Sequence, residues 1–301
     1  MKKFPRLLAL LLALGLLAAA CGDSSGDSNA EGTGDSPTST EAPSTTEAMA
    51  DSGLPDLGGR EVTIAVENAY LPFNYIDAET GEAAGWDYAA IDEMCNRLNC
   101  TPVYQTFSWE PMIQAVADGQ FDMAADGITI TEERAQVVDF SIGYINIDQR
   151  IMVRKGDTSI TSADDLINGD FKVGTQTGTT NYDKAVELVG QDRVQAFESF
   201  PFAVQSLIAG DVDAVIIDET AGQGYLGENA DQIELVGESL SSDQLGFIFP
   251  KGSDLVEPFN VAIKAMIDDG TMAKLGEEYF SGAFTITYDD IADPSTEETD
   301  S

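Results

Sequence analysis

Apolar positions along this chain switch repeatedly between two spacings. Glu61–Val66 (EVTIAV) alternates residue by residue and reads as a strand, and Tyr88–Leu98 then places Ala90, Ile91, Met94 and Leu98 on one face of a helix. Thr101–Phe107 reads as a second strand. Trp109 precedes a helix opened by Glu110-Pro111, with proline in the tolerated first turn, and closed at Asp118-Gly119. Phe121–Ala125 follows as a short buried strand broken by Asp126-Gly127. Thr131, Glu132 and Glu133 then mark a helix start, with a cap and acids in the first turn. Near Gln149–Val153 the pattern restarts. Asp164-Asp165-Leu166 opens a short helix, Phe171–Gly174, Val194–Phe197 and Val212–Ile217 read as strands, and Asn181–Val189 and Phe202–Ala209 as helices. After Gln244–Phe249, helices over Leu255–Asp269 and Met272–Phe280 carry a pattern suited to the outside of a sheet. Strands alternating with helices predict an α/β fold, a βαβ sheet covered on both faces.

Two parts of this pattern repeat. IQAVADGQFDMAADG (Ile113–Gly127) and VQSLIAGDVDAVIID (Val204–Asp218) align without a gap, which puts Gly127 and Asp218 at equivalent strand ends. Two similar lobes facing each other would bring both ends to one cleft, and open α/β sheets take ligands beyond the carboxyl ends of their strands. Arg134, at the helix start that Thr131 opens, combines a guanidinium with free backbone N–H groups and makes an anion site suited to a carboxylate or phosphate. A surface arginine after a turn is the plainer account of an isolated TxxR, and a helix cap is the plainer account of Asp218. Taken together, a buried acid opposite an anion site is the arrangement a zwitterion requires.

The chain ends carry a different message. Lys2, Lys3 and Arg6 precede an apolar run from Leu7 to Ala20 that stops at Cys21. The run is shorter than the ~20 residues that span a bilayer, so residues 1–20 read as a signal peptide. Ala18-Ala19-Ala20 before Cys21 resembles a bacterial lipobox, which implies cleavage there and a lipidated Cys21. Residues 21–57 are so poor in apolar side chains that they read as a disordered tether, and 289–301 as an acidic tail.

Charge and composition then exclude whole classes of function. With 53 Asp+Glu against 15 Lys+Arg, the chain is a poor candidate for nucleic acid or an anionic membrane surface. It contains no histidine, which removes His-based acid–base catalysis, Ser-His-Asp triads and most catalytic zinc sites. No GxxxxGK[ST] loop is present. No catalytic residue, metal site or cofactor is expected. Cys95 and Cys100, the two cysteines other than Cys21, suggest a local disulfide in an exported chain, with two buried free thiols as the alternative.

From Gly59 to Phe284 the chain resembles the periplasmic amino-acid-binding proteins of ABC importers, the type II two-lobed solute-binding fold. The resemblance rests on GWDYAAIDEM, on the segment from Trp109 to Asp122, on FPKGS and DDGTMAKLGEEYF, and above all on GITITEERAQVVDFSIGY. It implies lobe 1 over 58–145 plus 246–288 and lobe 2 over 146–245, each a mixed, mostly parallel sheet flanked by helices, joined near Tyr144–Arg150 and Ser242–Gly246. It implies that Arg134 clamps a ligand α-carboxylate with backbone N–H groups of Thr129 and Thr180. Asp218, the Gly127 carbonyl and the Thr129 hydroxyl would hold the α-ammonium. Tyr70 and Trp109 would sandwich the side chain, and Gln176 and Glu67 would meet its distal end. It also places Cys95 and Cys100 where some histidine- and lysine/arginine-type binders carry a disulfide, at a shorter spacing here. Asp126 and Thr180 depart from the residues common in the family and bear on the ligand's identity.

The expectation is therefore a monomeric receptor, lipid-anchored on the outer face of the cell membrane, that passes an amino acid to permease subunits. The residues placed around the ligand's distal end, Tyr70, Trp109, Gln176, Glu67 and Asp126, include acids and no base, so a cationic ligand is favoured, glutamine remains open, and glutamate and aspartate are rejected. The alternative on the same fold is a cyclohexadienyl dehydratase acting on arogenate or prephenate.

Overall fold

The computed structural model describes residues 53–280. The expected signal peptide, Cys21, most of the tether and the tail 289–301 lie outside the described residues.

The first half is built from strands β1 (Arg60–Val66), β2 (Ala69–Tyr70), β3 (Asn74–Ile76) and β4 (Ala83–Ala84), helix α1 (Trp86–Leu98), β5 (Cys100–Thr106), α2 (Trp109–Ala117), β6 (Met123–Thr129), α3 (Glu132–Ala135) and β7 (Val138–Phe140). The long strand β8 (Ile145–Arg154) leads to α4 (Ala163–Asn168), β9 (Val173–Gln176), α5 (Thr180–Val189), β10 (Val194–Phe197), α6 (Phe200–Ala209), β11 (Ala214–Asp218), α7 (Glu219–Asn229) and β12 (Ile233–Val236). A second long strand, β13 (Ser242–Pro250), returns to α8 (Val256–Asp268) and α9 (Thr271–Tyr279).

The main sheet runs β10-β9-β11-β8-β13-β6-β1-β5, with β12 on β8 and β7 on β13. In each half, three neighbouring strands are parallel and one long antiparallel strand flanks them: β5, β1 and β6 beside β13, and β10, β9 and β11 beside β8. The long strands are shared between halves. Residues 145–148 of β8 pair with 242–245 of β13, and the remainder of β8 pairs with β11 and β12. This is the two-lobed type II architecture, with both crossings made by extended backbone.

Burial explains the layers. α1 packs Ala90, Ile91, Met94 and Leu98 against the sheet, the face its spacing predicts. It begins at Trp86 rather than Tyr88, capped by Gly85, where a Cβ would run into the Phe73 carbonyl oxygen. α2 covers the opposite face of β6 and β1 with Trp109, Met112, Ala115 and Val116. α4 and α5 cover one face of the second half with Leu166, Ala185 and Val189. Cys95, near the end of α1, and Cys100, the first residue of β5, are joined as a disulfide with Cα atoms 4.6 Å apart.

Three strands correct the expected boundaries in the same direction. β6 is Met123–Thr129, so Asp126-Gly127 does not break it; all seven residues are buried and the strand carries on two residues beyond the glycine. β9 ends at Gln176 rather than Gly174, and β11 ends at Asp218 rather than Ile217. Polar side chains that looked like strand terminators are buried within the strands. The small β2–β3–β4 sheet and the helix α7 were also not foreseen.

Candidate functional site

Strands β6, β9 and β11 end at one place, and a cavity lies there. All ten residues singled out for ligand contact line it: Glu67, Tyr70, Trp109, Asp126, Gly127, Thr129, Arg134, Gln176, Thr180 and Asp218. Thr179, Asn181 and Phe200 line it too and were missed. Asn181 adjoins Thr180 at a helix start, a position that could have signalled it; Phe200 gave no such signal.

Arg134 owes its position to a short, well-capped turn. Thr131 Oγ1 accepts from the Arg134 N–H at 3.2 Å, which closes α3 at its start and turns the guanidinium inward. There Nη1 donates to the Thr129 carbonyl at 2.9 Å, Nη2 donates to the Gly178 carbonyl at 3.3 Å, and Cζ stands 5.3 Å from the centre of the Trp109 ring. Burial lowers its proton affinity, while Asp183 and Asp218 act in the opposite sense. Arginine keeps its charge through such a shift. No carboxylate forms an ion pair with it among the described residues. The result is a half-buried cation whose neighbours are carbonyls and a ring face.

The wall beside it is the start of α5. Thr179 caps that helix, accepting from the Tyr182 N–H at 3.1 Å, so the unpaired N–H groups of the first turn open at Thr180 and Asn181. The Thr180 hydroxyl lies 3.4 Å from that of Thr129 and accepts from Gln149 Nε2 at 3.0 Å.

Asp218 occupies the cap position of α7, yet its side chain makes no cap hydrogen bond. It is buried instead between Tyr70, whose hydroxyl donates to Oδ2, and Asn181, whose Nδ2 donates to Oδ1 at 3.0 Å. Burial raises its pKa to about 6, against the pull of those two donors. Tyr70 is held for this contact by stacking on Phe73 and Phe200, with ring centres 5.1 and 5.7 Å apart. Its ring lies on Gly127, which has φ +54°, and a Cβ there would run into Tyr70 Cε1.

At the far end, Glu67 Oε1 accepts from Gln176 Nε2 at 2.8 Å. Burial raises the Glu67 carboxyl to about 7, with Glu198 adding to the effect. Asp126 is pushed well above the usual carboxylate range, first by burial and then by Glu67. The cavity thus holds one cation, three carboxyls and three aromatic rings.

A two-lobed sheet with a half-buried arginine facing a buried aspartate across the cleft defines a solute-binding protein. The chain matches the family model of bacterial extracellular solute-binding proteins, family 3, over residues 62–282, and it belongs to that family. It is 29% identical to the L-cystine-binding protein TcyJ of Escherichia coli, over 79% of this chain and 90% of that one. Among solved structures it resembles the arginine-, lysine-, histidine-binding protein ArtJ of Geobacillus stearothermophilus, at 29% identity and TM-score 0.69, covering 73% and 95% of the two chains. An ancestral arginine-binding protein bound to arginine is 34% identical, at TM-score 0.68, over 73% and 98%.

Proposed function

We propose that this chain captures a polar amino acid with a cationic side chain by hinge closure of its two lobes and delivers it to the permease subunits of an ABC importer. The observation that carries the reading is Arg134, a half-buried guanidinium that forms no ion pair among the described residues, set across the cavity from the buried Asp218. Burying an unpaired charge is costly, and a ligand carboxylate supplies the missing partner. In this reading Arg134, with the N–H groups of Thr129 and Thr180, takes the α-carboxylate, and Asp218, the Gly127 carbonyl and the Thr129 hydroxyl take the α-ammonium. Tyr70 and Trp109 flank the side chain, while Glu67, Gln176 and Asp126 meet its end. The names of the relatives above, all given for amino acids, support the same class of ligand.

The reading extends to the whole chain. Residues 58–145 with 246–288 form lobe 1 and residues 146–245 form lobe 2, while Cys21 carries the lipid that holds a monomeric receptor to the membrane through the tether 21–57. The relatives compared are named for binding rather than catalysis; turnover of arogenate by the purified chain would favour the dehydratase alternative. The direct test is a thermal-shift screen of the twenty amino acids and ornithine on the full chain. A ligand at 100 times its Kd adds about 2.7 kcal/mol of stability. Arginine, lysine or ornithine is expected to give the largest shift; tight glutamate binding would overturn the cationic assignment, and no response to any amino acid would overturn the function.

A further inference from the structure

Three carboxyl groups gather at the distal end of the cavity. Asn74, on β3 and fully buried, gives its amide hydrogens to two of them: Nδ2 donates to Asp126 Oδ1 at 2.7 Å and to Asp87 Oδ2 at 2.9 Å. Its oxygen accepts from the Asn68 N–H at 2.7 Å, which fixes the orientation of the amide. The Glu67 N–H adds a 3.4 Å contact to Asp126 Oδ1. These bonds occupy one oxygen of Asp126 and leave the other for the cavity that Asp126 lines. Asp87 Oδ1 has no donor and is buried.

No base offsets this charge. Asp126 is faced by Glu67 just beyond the end of β1, by Asp87 from α1 and by the phenols of Tyr70, Tyr88 and Tyr144, and Glu67 is faced by Glu198. Two neighbouring carboxyls out of water do not both ionise at neutral pH.

We propose that Glu67 and Asp126 form a proton-exchange subsite, in which the pair holds one proton at neutral pH and a cationic ligand side chain binds by replacing it. Asn74 and Asp87 are positioning residues: Asn74 aims Asp126, and Asp87, itself held largely protonated by burial up to neutral pH, opposes ionisation of Asp126 as it loses its own proton. On binding, one carboxyl O–H bond breaks, its electron pair stays on oxygen and the proton leaves to water. The ammonium or guanidinium then takes the hydrogen-bonding place between the two carboxylates. An amide side chain carries no charge to exchange and binds the protonated pair. Burial and their mutual repulsion raise both carboxyls above the usual carboxylate range, which moves the exchange toward neutral pH. Below neutral pH protons compete with the cation, so cation affinity falls as pH falls; above it the affinity levels off.

The inference rests on the amino-acid reading above, and its test separates the two. Arginine, ornithine and glutamine are titrated calorimetrically into the full chain, in phosphate and in Tris, between pH 6 and 8. Buffer-dependent heats are expected to show about one proton released with arginine or ornithine and none with glutamine, and cation affinity is expected to rise by up to about tenfold per pH unit below neutrality. Asp126→Asn should abolish the release and flatten the pH profile. Asn74→Leu, which strips a donor from Asp126, should move the profile to higher pH, and Asp87→Asn should move it lower; a merely structural role would move neither. Cation binding without proton release, or an Asp126→Asn profile matching that of the unmodified chain, overturns the proposal. Tight binding of a neutral amino acid alone overturns it while leaving the receptor reading intact, whereas binding of no amino acid removes both.

Discussion

The segments Ile113–Gly127 and Val204–Asp218 are the same device built twice. Each helix closes on a left-handed glycine, Gly119 or Gly210, with φ of +73° and +83°. In each, the glycine N–H reaches back to Val116 or Leu207, and the next N–H reaches Ala115 or Ser206. Asp122 then accepts the Thr63 N–H at 2.8 Å and Asp213 the Lys172 N–H at 2.9 Å, while their own N–H groups return to the same two carbonyls. Each acid also has an arginine, Arg60 at 3.4 Å and Arg154 at 3.7 Å. The copies differ where they reach the cavity. Gly127 has no side chain and gives its space to the Tyr70 ring, whereas Asp218 supplies a carboxylate that accepts from the Tyr70 hydroxyl. A shared scaffold fixes two strand ends; one is used for room and the other for charge.

The sharpest way to break this division is at the cation that both ends face. Arg134→Ala is expected to cost about 2–5 kcal/mol of amino-acid affinity, a change of thirtyfold or more. Calorimetry finding affinity within threefold of the unmodified chain would end the zwitterion model. Asp218→Asn keeps the shape and one acceptor but removes the charge, and a loss of about 1–3 kcal/mol in binding is expected. Gly127→Ala tests the other copy. Its positive φ and the Tyr70 ring both oppose a Cβ, so melting temperature and ligand affinity should fall together. An unchanged melting temperature would show that the ring yields easily and the strain is small.

A pH prediction sharpens the contrast between the halves. Asp87 is fully buried in the first half, and burial raises its carboxyl to about 7, above the value of an unfolded chain. The folded state therefore binds the proton more tightly than the unfolded state. Its contribution to stability is full below the usual carboxylate range and is lost as pH rises toward 7. Urea melts between pH 4 and 7.5 should show Asp87→Asn losing less stability with rising pH than the unmodified chain; identical slopes would contradict the assignment. The smallest effects belong to the shared scaffold. Asp122→Ala and Asp213→Ala should each cost about 1–2 kcal/mol, Asp122 slightly more because it also binds the Thr63 hydroxyl at 2.7 Å.

The repeat itself was legible in the sequence because helix caps, glycines and apolar spacing are local signals. So were ten of the thirteen cavity residues: Gly127, Thr129 and Arg134 within the long motif from Gly127 to Tyr144, the rest through the wider family resemblance. The strand ends were not. Asp126, Gln176 and Asp218 read as terminators because strands usually turn polar where they reach water, but here the strands run on into a cleft closed from the far side. Asn74 was passed over for a related reason. In LPFNYID it looks like a turn residue, and only the fold brings it between Asp87 and Asp126, 13 and 52 positions away.

The pairing of β8 with β13 has a mechanical consequence. Two strands bonded edge to edge over 145–148 and 242–245 make a ribbon that flexes readily out of its plane and resists sliding within it. Each continues into a different half of the sheet, so the ribbon acts as a leaf spring clamped at both ends. Bending it lengthens no ladder bond appreciably, while sliding one strand along the other would have to break several at once. A displacement of one half against the other that keeps this ladder is therefore carried by bending and twisting of the ribbon.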